Sequence, residues 1–422
     1  MNASRKEFLA GLAAVGAAGL AMSKPADGRG VSADVPRLPP TSPRNRRPYS
    51  GLDWKSVIRV KTTSHGHCPH QRALDCYLKR GFGLLTMSNY YPSAPYVPAS
   101  KMTEGYYRLH HEHGVSVNGT FVEGPFDWNR IVAPWKNDID PKFRGEYPFN
   151  EGKKLFKPLP PGILEAPNAE HHYFKMANGS MNGLLHLCAP GSAYASGTFD
   201  AHYRFKTNKG GYCYGSGERW ETAIDRMIAG LIVPDGGGVT INHPSWTKLN
   251  RAFMLEILDH DPRVLGIEVI EHGFNSEHYW DWALATGRQC FGFFVPDWAY
   301  DAKPNEVFGM NVLCVKERTV EACLRAYRQG NFYGALHGLG ELEFTEISFD
   351  GKTVRAATDK PAVFKVITAR GVVKESKGTS VSWSLPDNGD RRGPAVEVFA
   401  RVKASAADGC GEELFSQPFM LQ

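Results

Sequence analysis

With 422 residues, 42% of them hydrophobic and 22% charged, the chain is long enough for two domains and too apolar to be disordered. Its net charge of +5 is small for this length and spread along the sequence, which excludes the concentrated basic face of a nucleic-acid binder. Eight cysteines without a Cys-x-x-Cys pair exclude a disulfide framework and a structural zinc module; Cys188, Cys290, Cys314 and Cys323 sit among apolar neighbours and read as small buried hydrophobes.

Residues 1–23 read as an export signal. Arg5-Lys6 precedes an apolar run from Leu9 to Met22 that is too short to span a bilayer, so no stable membrane span is expected. The basic pair followed by Phe8-Leu9 resembles a twin-arginine signal, with Lys6 in the place of the second Arg. That resemblance implies the twin-arginine export machinery as a partner and a periplasmic or secreted location; a frayed N-terminal helix is the plainer alternative. Residues 24–54, with six prolines among Arg and Gly, read as an extended linker.

From Val57 onward short β-branched runs alternate with amphipathic stretches. Val57–Val60, Leu84–Met87, Val239–Ile241, Leu265–Ile270, Phe291–Val295 and Asn311–Val315 have strand character. Helical periods fit Arg72–Arg80, Trp220–Ile232, Asn250–Asp259, Glu277–Thr286 and Thr319–Gln329. This alternation over residues 55–340 predicts parallel pairing in a closed or nearly closed barrel, with an open doubly wound sheet as the runner-up. After Gly340 the pattern becomes all-β: Glu343–Phe349 alternates, Asp350-Gly351 signals a hairpin, and further short strands to the C-terminus predict a small β-sandwich over 341–422.

Chemistry concentrates at the expected strand ends. In Thr63-Ser64-His65-Gly66-His67 two imidazoles at i and i+2 of an extended segment point the same way and can reach one metal ion. Glu170, His243 in Asn242-His243-Pro244, and Asp297 add ligand types at three further strand ends. Two insertions, 121–161 and 199–220, are rich in aromatics and fit either binding loops or loops packed on the barrel. His110-His111-Glu112-His113 reads as a helix end more than a metal cluster, and Glu271 or His272 is placed to line the pocket. Ser64 lacks an elbow motif for a nucleophile.

In this order, the motifs resemble the polymerase and histidinol phosphatase (PHP) metallohydrolases, most closely the branch that includes carbaryl hydrolase. Asn182-Gly183, Ala326–Tyr333, Val398–Val402 and Ser416–Phe419 carry the resemblance to the branch. It implies a distorted (β/α)7 barrel and a metal site of His65, His67, Glu170, His243 and Asp297, with Glu170, His243 and Asp297 catalytic. The chain departs from the family at Ser88-Asn89-Tyr90, at Ser180 and at Ala299, where further metal ligands stand in the family. One or two divalent ions (Zn, Mn or Fe) are therefore expected rather than three, with His171, His172 or His186 as the candidates to replace a lost ligand.

The function implied is an exported metal-dependent hydrolase that attacks a phosphoester, carbamate or carboxylic ester through metal-activated water. The alternatives are a degenerate barrel that binds a carbohydrate or other ligand without catalysis, and a metal-dependent sugar lyase or glycosidase-like enzyme. The expected partner is a small-molecule or carbohydrate-linked substrate.

Overall fold

The computed structural model describes residues 44–68, 71–88, 115–117, 120–122, 157–194, 204–206, 212–214, 219–271, 273–297, 308–337, 342–386 and 397–421. The export signal, Asn89, Tyr90, His110–His113, His272, Ala299 and most of the two aromatic insertions lie outside them.

Helices form where the sequence period places them, with sharper ends. Val320–Gln329 begins at Thr319, whose hydroxyl accepts from the Ala322 amide at 3.1 Å, and stops at Gly330 in the left-handed region (φ 71°). Arg251–His260 is capped in the same way by Asn250, which accepts from the Phe253 amide. This helix and Glu277–Ala285 act as crossovers between Val239–Ile241, Val264–Glu271 and Phe291–Phe294, which pair in parallel. The middle strand is buried along nearly its whole length, as a central parallel strand is.

Strand–helix–strand order also opens the chain, from Ile58–Thr62 through Gln71–Lys79 to Leu84–Leu85. Between these portions the predicted alternation gives way. Glu170–Lys175 and Met181–Cys188, a stretch with neither strand nor helix in the sequence reading, form an antiparallel hairpin closed by a tight turn at Asn178-Gly179 (φ 81° at Gly179). The hairpin continues antiparallel into Val239–Ile241, giving a six-stranded mixed sheet.

Backbone hydrogen bonds carry the chain around a curl. They run from Gly83 N to Lys61 O, Leu164 N to Gly83 O, Glu170 N to Ser88 O, Asn242 N to His186 O, Val295 N to Ile270 O, and back to the first strand from Asp297 N to His65 O. The ends of strands far apart in sequence thereby converge on one spot.

A second, nine-stranded sheet starts at Ile58–Thr62, passes through Phe308–Val315 and Phe332–His337, and continues into strands of the C-terminal 80 residues. The Asp350-Gly351 hairpin forms as its sequence predicts, with the Asp350 carboxylate accepting from the Lys352 and Thr353 amides. Strands on both sides of residue 340 share this sheet, since Phe332–His337 pairs with Glu413–Phe415. The two regions also share apolar packing: Phe399, Phe415 and Met420 lie in the same buried cluster as Trp280 and Ile267.

Two features tie the periphery to the curl. The Arg44 guanidinium donates to the carbonyls of Leu258, Asp261 and Val264, and Tyr49 is buried with its hydroxyl on Phe332 O, so residues 44–54 are a docked strap rather than a free linker. The outer edge of Phe291–Phe294 meets side-chain amides instead of a strand: Gln417 takes both the N–H and C=O of Gly292 at 2.8 Å, and Asn311 accepts from Phe294 N. Cys68, Cys76, Cys188, Cys290, Cys314, Cys323 and Cys410 are free thiols, with Cys188, Cys290, Cys314 and Cys323 buried as expected. No helix among the described residues is long and apolar enough to cross a membrane.

Candidate metal centre

The His65-Gly66-His67 segment bends at Ser64 and His65 just after the first strand, where the Thr63 hydroxyl accepts from His65 N and donates to His65 O, and its two imidazole Nε2 atoms meet at 3.3 Å. Only glycine fits between them, because a Cβ at Gly66 would stand 2.8 Å from the Tyr77 hydroxyl, which itself donates to His67 O. Ser88 Oγ accepts from Gly66 N, and Ser88 N donates to Gly66 O, locking the segment to the next strand. Asp297, three residues beyond Phe291–Phe294, donates its amide to His65 O and accepts from His67 N. The ligand residues are therefore fixed to one another through their own backbones. Asp297 has φ 47°, in a region that non-glycine residues rarely adopt and that is typically retained where a site demands it.

Four atoms converge: His65 Nε2, His67 Nε2, Glu170 Oε2 and Asp297 Oδ1. The imidazole nitrogens are 3.3 Å apart; Glu170 Oε2 is 3.5 and 3.1 Å from them, and Asp297 Oδ1 is 3.1 Å from each. Ligands held at about 2.0–2.1 Å around a tetrahedral ion stand roughly 3.3–3.4 Å from one another, so the set has the size of such a site. The Asp297 Oδ1 atom is buried without a well-directed hydrogen bond, which is the deficit an ion would fill. Two imidazoles and two carboxylates suit zinc, manganese or iron.

The charges of the group balance. Burial works against protonation of His65, yet Glu268, Asp297 and Glu170 hold its pKa well above the usual imidazole value; burial is likewise outweighed at His67 by Asp297 and Glu170. Burial pushes the carboxyls of Glu170 and Asp297 up, but the imidazoles prevail and hold both well below the ordinary range. Two imidazoles face two carboxylates here, so a divalent ion would be held by displacing the imidazole protons.

Behind the ligands stands Glu268, fully buried. Its Oε1 lies 2.8 Å from His65 Nδ1 and its Oε2 accepts from the His243 amide at 2.8 Å. A carboxylate on the far nitrogen fixes the ring and its tautomer and makes the near nitrogen a better donor. Asn242 Nδ2 lies 3.3 Å from His65 Nδ1 and donates to Cys188 Sγ, while Asn168 bridges Ser64 O and Thr86 O. Sequence reading missed Glu268, although a lone carboxylate in the apolar run Leu265–Ile270 signals it: a buried charge needs a partner.

Glu170 also faces a second group through its other oxygen. Its Oε1 lies 2.7 Å from His186 Nδ1 and 3.5 Å from His243 Nε2, and these three residues form a second cluster that could hold an ion. His186 Nε2 lies 3.2 Å from Gly183 O, an arrangement that leaves Nδ1 for the cluster. An irregularity in the hairpin, where Asn182 Oδ1 accepts from the Leu184 and Leu185 amides, aims His186 inward. Of the three candidates to replace a lost ligand, His186 is the one beside Glu170 in this cluster. His171 instead stacks on Tyr194, and His172 packs against the His186 ring at 5.4 Å. Ser180 lies in the exposed hairpin turn, hydrogen-bonded to Asn178.

All five residues read from the sequence as ligands thus fall in the two clusters, His65, His67 and Asp297 in the first, His243 in the second, and Glu170 in both.

No family model matches the chain, and no curated protein matches it. Among solved structures, a two-domain protein containing a predicted PHP-like metal-dependent phosphoesterase from Bacteroides vulgatus ATCC 8482 is similar to it at 14% identity with a TM-score of 0.37, the match covering 86% of this chain and 94% of that one.

Proposed function

We propose that the chain is a metal-dependent hydrolase of the PHP type, exported with one or two divalent ions and acting on a phosphoester, carbamate or carboxylic ester. The observation that carries this reading is the convergence of His65 Nε2, His67 Nε2, Glu170 Oε2 and Asp297 Oδ1, each imidazole nitrogen 3.1–3.5 Å from the other three atoms, with Glu170 turning its second oxygen toward His186 and His243. The curled sheet is read as a distorted barrel of the PHP kind, with the strands after residue 340 as its C-terminal unit.

A bound divalent ion supplies Lewis acidity: it polarises a phosphoryl or carbonyl oxygen and lowers the pKa of water. The chain's residues supply the rest. Glu268 holds the His65 ring, and Glu170 ties the two clusters at a fixed spacing. Asp297, 12% of whose side chain is open, and His186, 10% open, stand at the mouth, whereas His65 is fully enclosed. The substrate therefore enters across the Asp297–His186 side, where these groups and His243 orient the scissile group.

The test joins metal analysis to hydrolysis. The purified protein is expected to carry one or two equivalents of Zn, Mn or Fe, lost together with hydrolysis of 4-nitrophenyl phosphate or acetate in a His65→Ala, His67→Ala variant. Failure to take up stoichiometric metal after reconstitution would overturn the reading and turn attention to carbohydrate binding.

A further inference from the structure

The mouth of the site has a wall that the hydrolase reading leaves unused. Trp246 follows His243 by three residues, is half-buried, and sets its ring nearly perpendicular to His243 at 4.8 Å and to His186 at 5.7 Å. Its indole packs on both imidazoles of the second cluster and, where both of them are buried, keeps part of its surface in solvent.

Its placement is rigid. The single helical turn Pro244–Thr247 is closed by bonds from Thr247 N to His243 O and Leu249 N to Pro244 O. Ser245 then pins the turn to the neighbouring segment, its amide donating to Ser276 Oγ and its hydroxyl to Asn275 O. The turn requires positive φ at His243 (28°) and Lys248 (51°), backbone that such residues rarely adopt. A large aromatic carried on so constrained a turn, with part of its surface in solvent, is pre-organised to receive a flat partner.

We propose that Trp246 is the specificity-determining residue of the site: its indole takes the flat face of a ring in the substrate, aryl or glycosyl, whose scissile group lies at Glu170 and His186. The inference rests on the hydrolase reading and adds the chemical character of the group next to the scissile bond. Its strength is set by ring contact, worth roughly three- to tenfold in affinity.

The test uses probes that are not hydrolysed, so that recognition is measured apart from turnover. Phenylphosphonate, a glucosyl phosphonate and methylphosphonate are titrated by calorimetry into the zinc-loaded protein, with affinities normalised to bound metal. Wild type is expected to prefer one of the ring-bearing probes over methylphosphonate by about three- to tenfold, and which one identifies the ring. In Trp246→Ala that preference falls to about one, while Trp246→Phe keeps part of it, which also answers a variant that merely folds poorly. Equal affinity of wild type for all three probes, or a preference that survives in Trp246→Ala, would overturn the assignment of Trp246 and leave the metal site standing. Absence of binding by every probe to fully metal-loaded protein would overturn this inference, while the hydrolase reading stands or falls on its own test of metal uptake and turnover.

Discussion

The group of His65, His67, Glu170 and Asp297 and the group of Glu170, His186 and His243 share a carboxylate but are built differently. The first is assembled from strand ends whose backbones bond to one another, is backed by a buried carboxylate, and reaches to the fully enclosed His65. The second has three ligands, depends on a hairpin irregularity and a strained turn, and packs against Trp246. Ligand number, and the buried carboxylate behind the first group, separate a group suited to retaining an ion from one suited to meeting a substrate.

The largest effect is expected at the residue common to both. Glu170→Gln removes the charge that holds the two clusters together, so metal content should fall to background and hydrolysis by at least about a thousandfold; elemental analysis and turnover on the same sample check both. Separating the groups comes next. His65→Ala should strip all bound metal, whereas His186→Ala should leave about one equivalent in a protein that has lost most of its turnover. If His186→Ala empties the protein as completely as His65→Ala, the two groups are not distinct. A smaller loss is expected for Glu268→Gln, which leaves every ligand in place but weakens the hold on His65: affinity measured against a chelating dye should drop ~10- to 100-fold. An unchanged affinity would show that the Asn242 contact alone orients the ring.

The same division explains what was legible in the sequence. The parallel strands and helices from Val239 to Phe294 could be read because each is a continuous period, and Asp350-Gly351 because its turn chemistry is local. His65 and His67 stood out for the same reason: one short segment contains both. The Glu170–Cys188 hairpin was not foreseen, since His171, His172 and His186 break the apolar alternation that marks a strand. His186 could be named but not chosen, because what aims it is the register of that hairpin, a pairing no local pattern specifies. Glu268 and Trp246 were overlooked because each acquires its role only when strands distant in sequence converge. The strap at 44–54 reads as a linker for a related reason: its proline-rich composition conceals that Arg44 and Tyr49 find buried partners more than 200 residues away.

The smallest effect concerns the support of Asp297 from the far end of the chain. Asp297 follows a strand whose outer edge is satisfied by amide side chains, and Gln417 alone completes both polar groups of Gly292. Replacing Gln417 with Ala leaves a buried N–H and C=O unpaired, at a cost of about 1–3 kcal/mol each if nothing else fills the gap. Lost stability by itself says nothing about the site, so the comparison is with Ile347→Val, a core truncation in the C-terminal strands that costs about 1 kcal/mol without touching Phe291–Phe294. If Gln417 serves Asp297, its Ala variant should bind metal several-fold more weakly while Ile347→Val binds as wild type. Metal binding would then depend on strands beyond residue 340 for the aim of one ligand, as well as for stability. Equal metal affinity in the two variants would instead confine Gln417 to holding the sheets together and leave the placement of Asp297 to its bonds with His65 and His67.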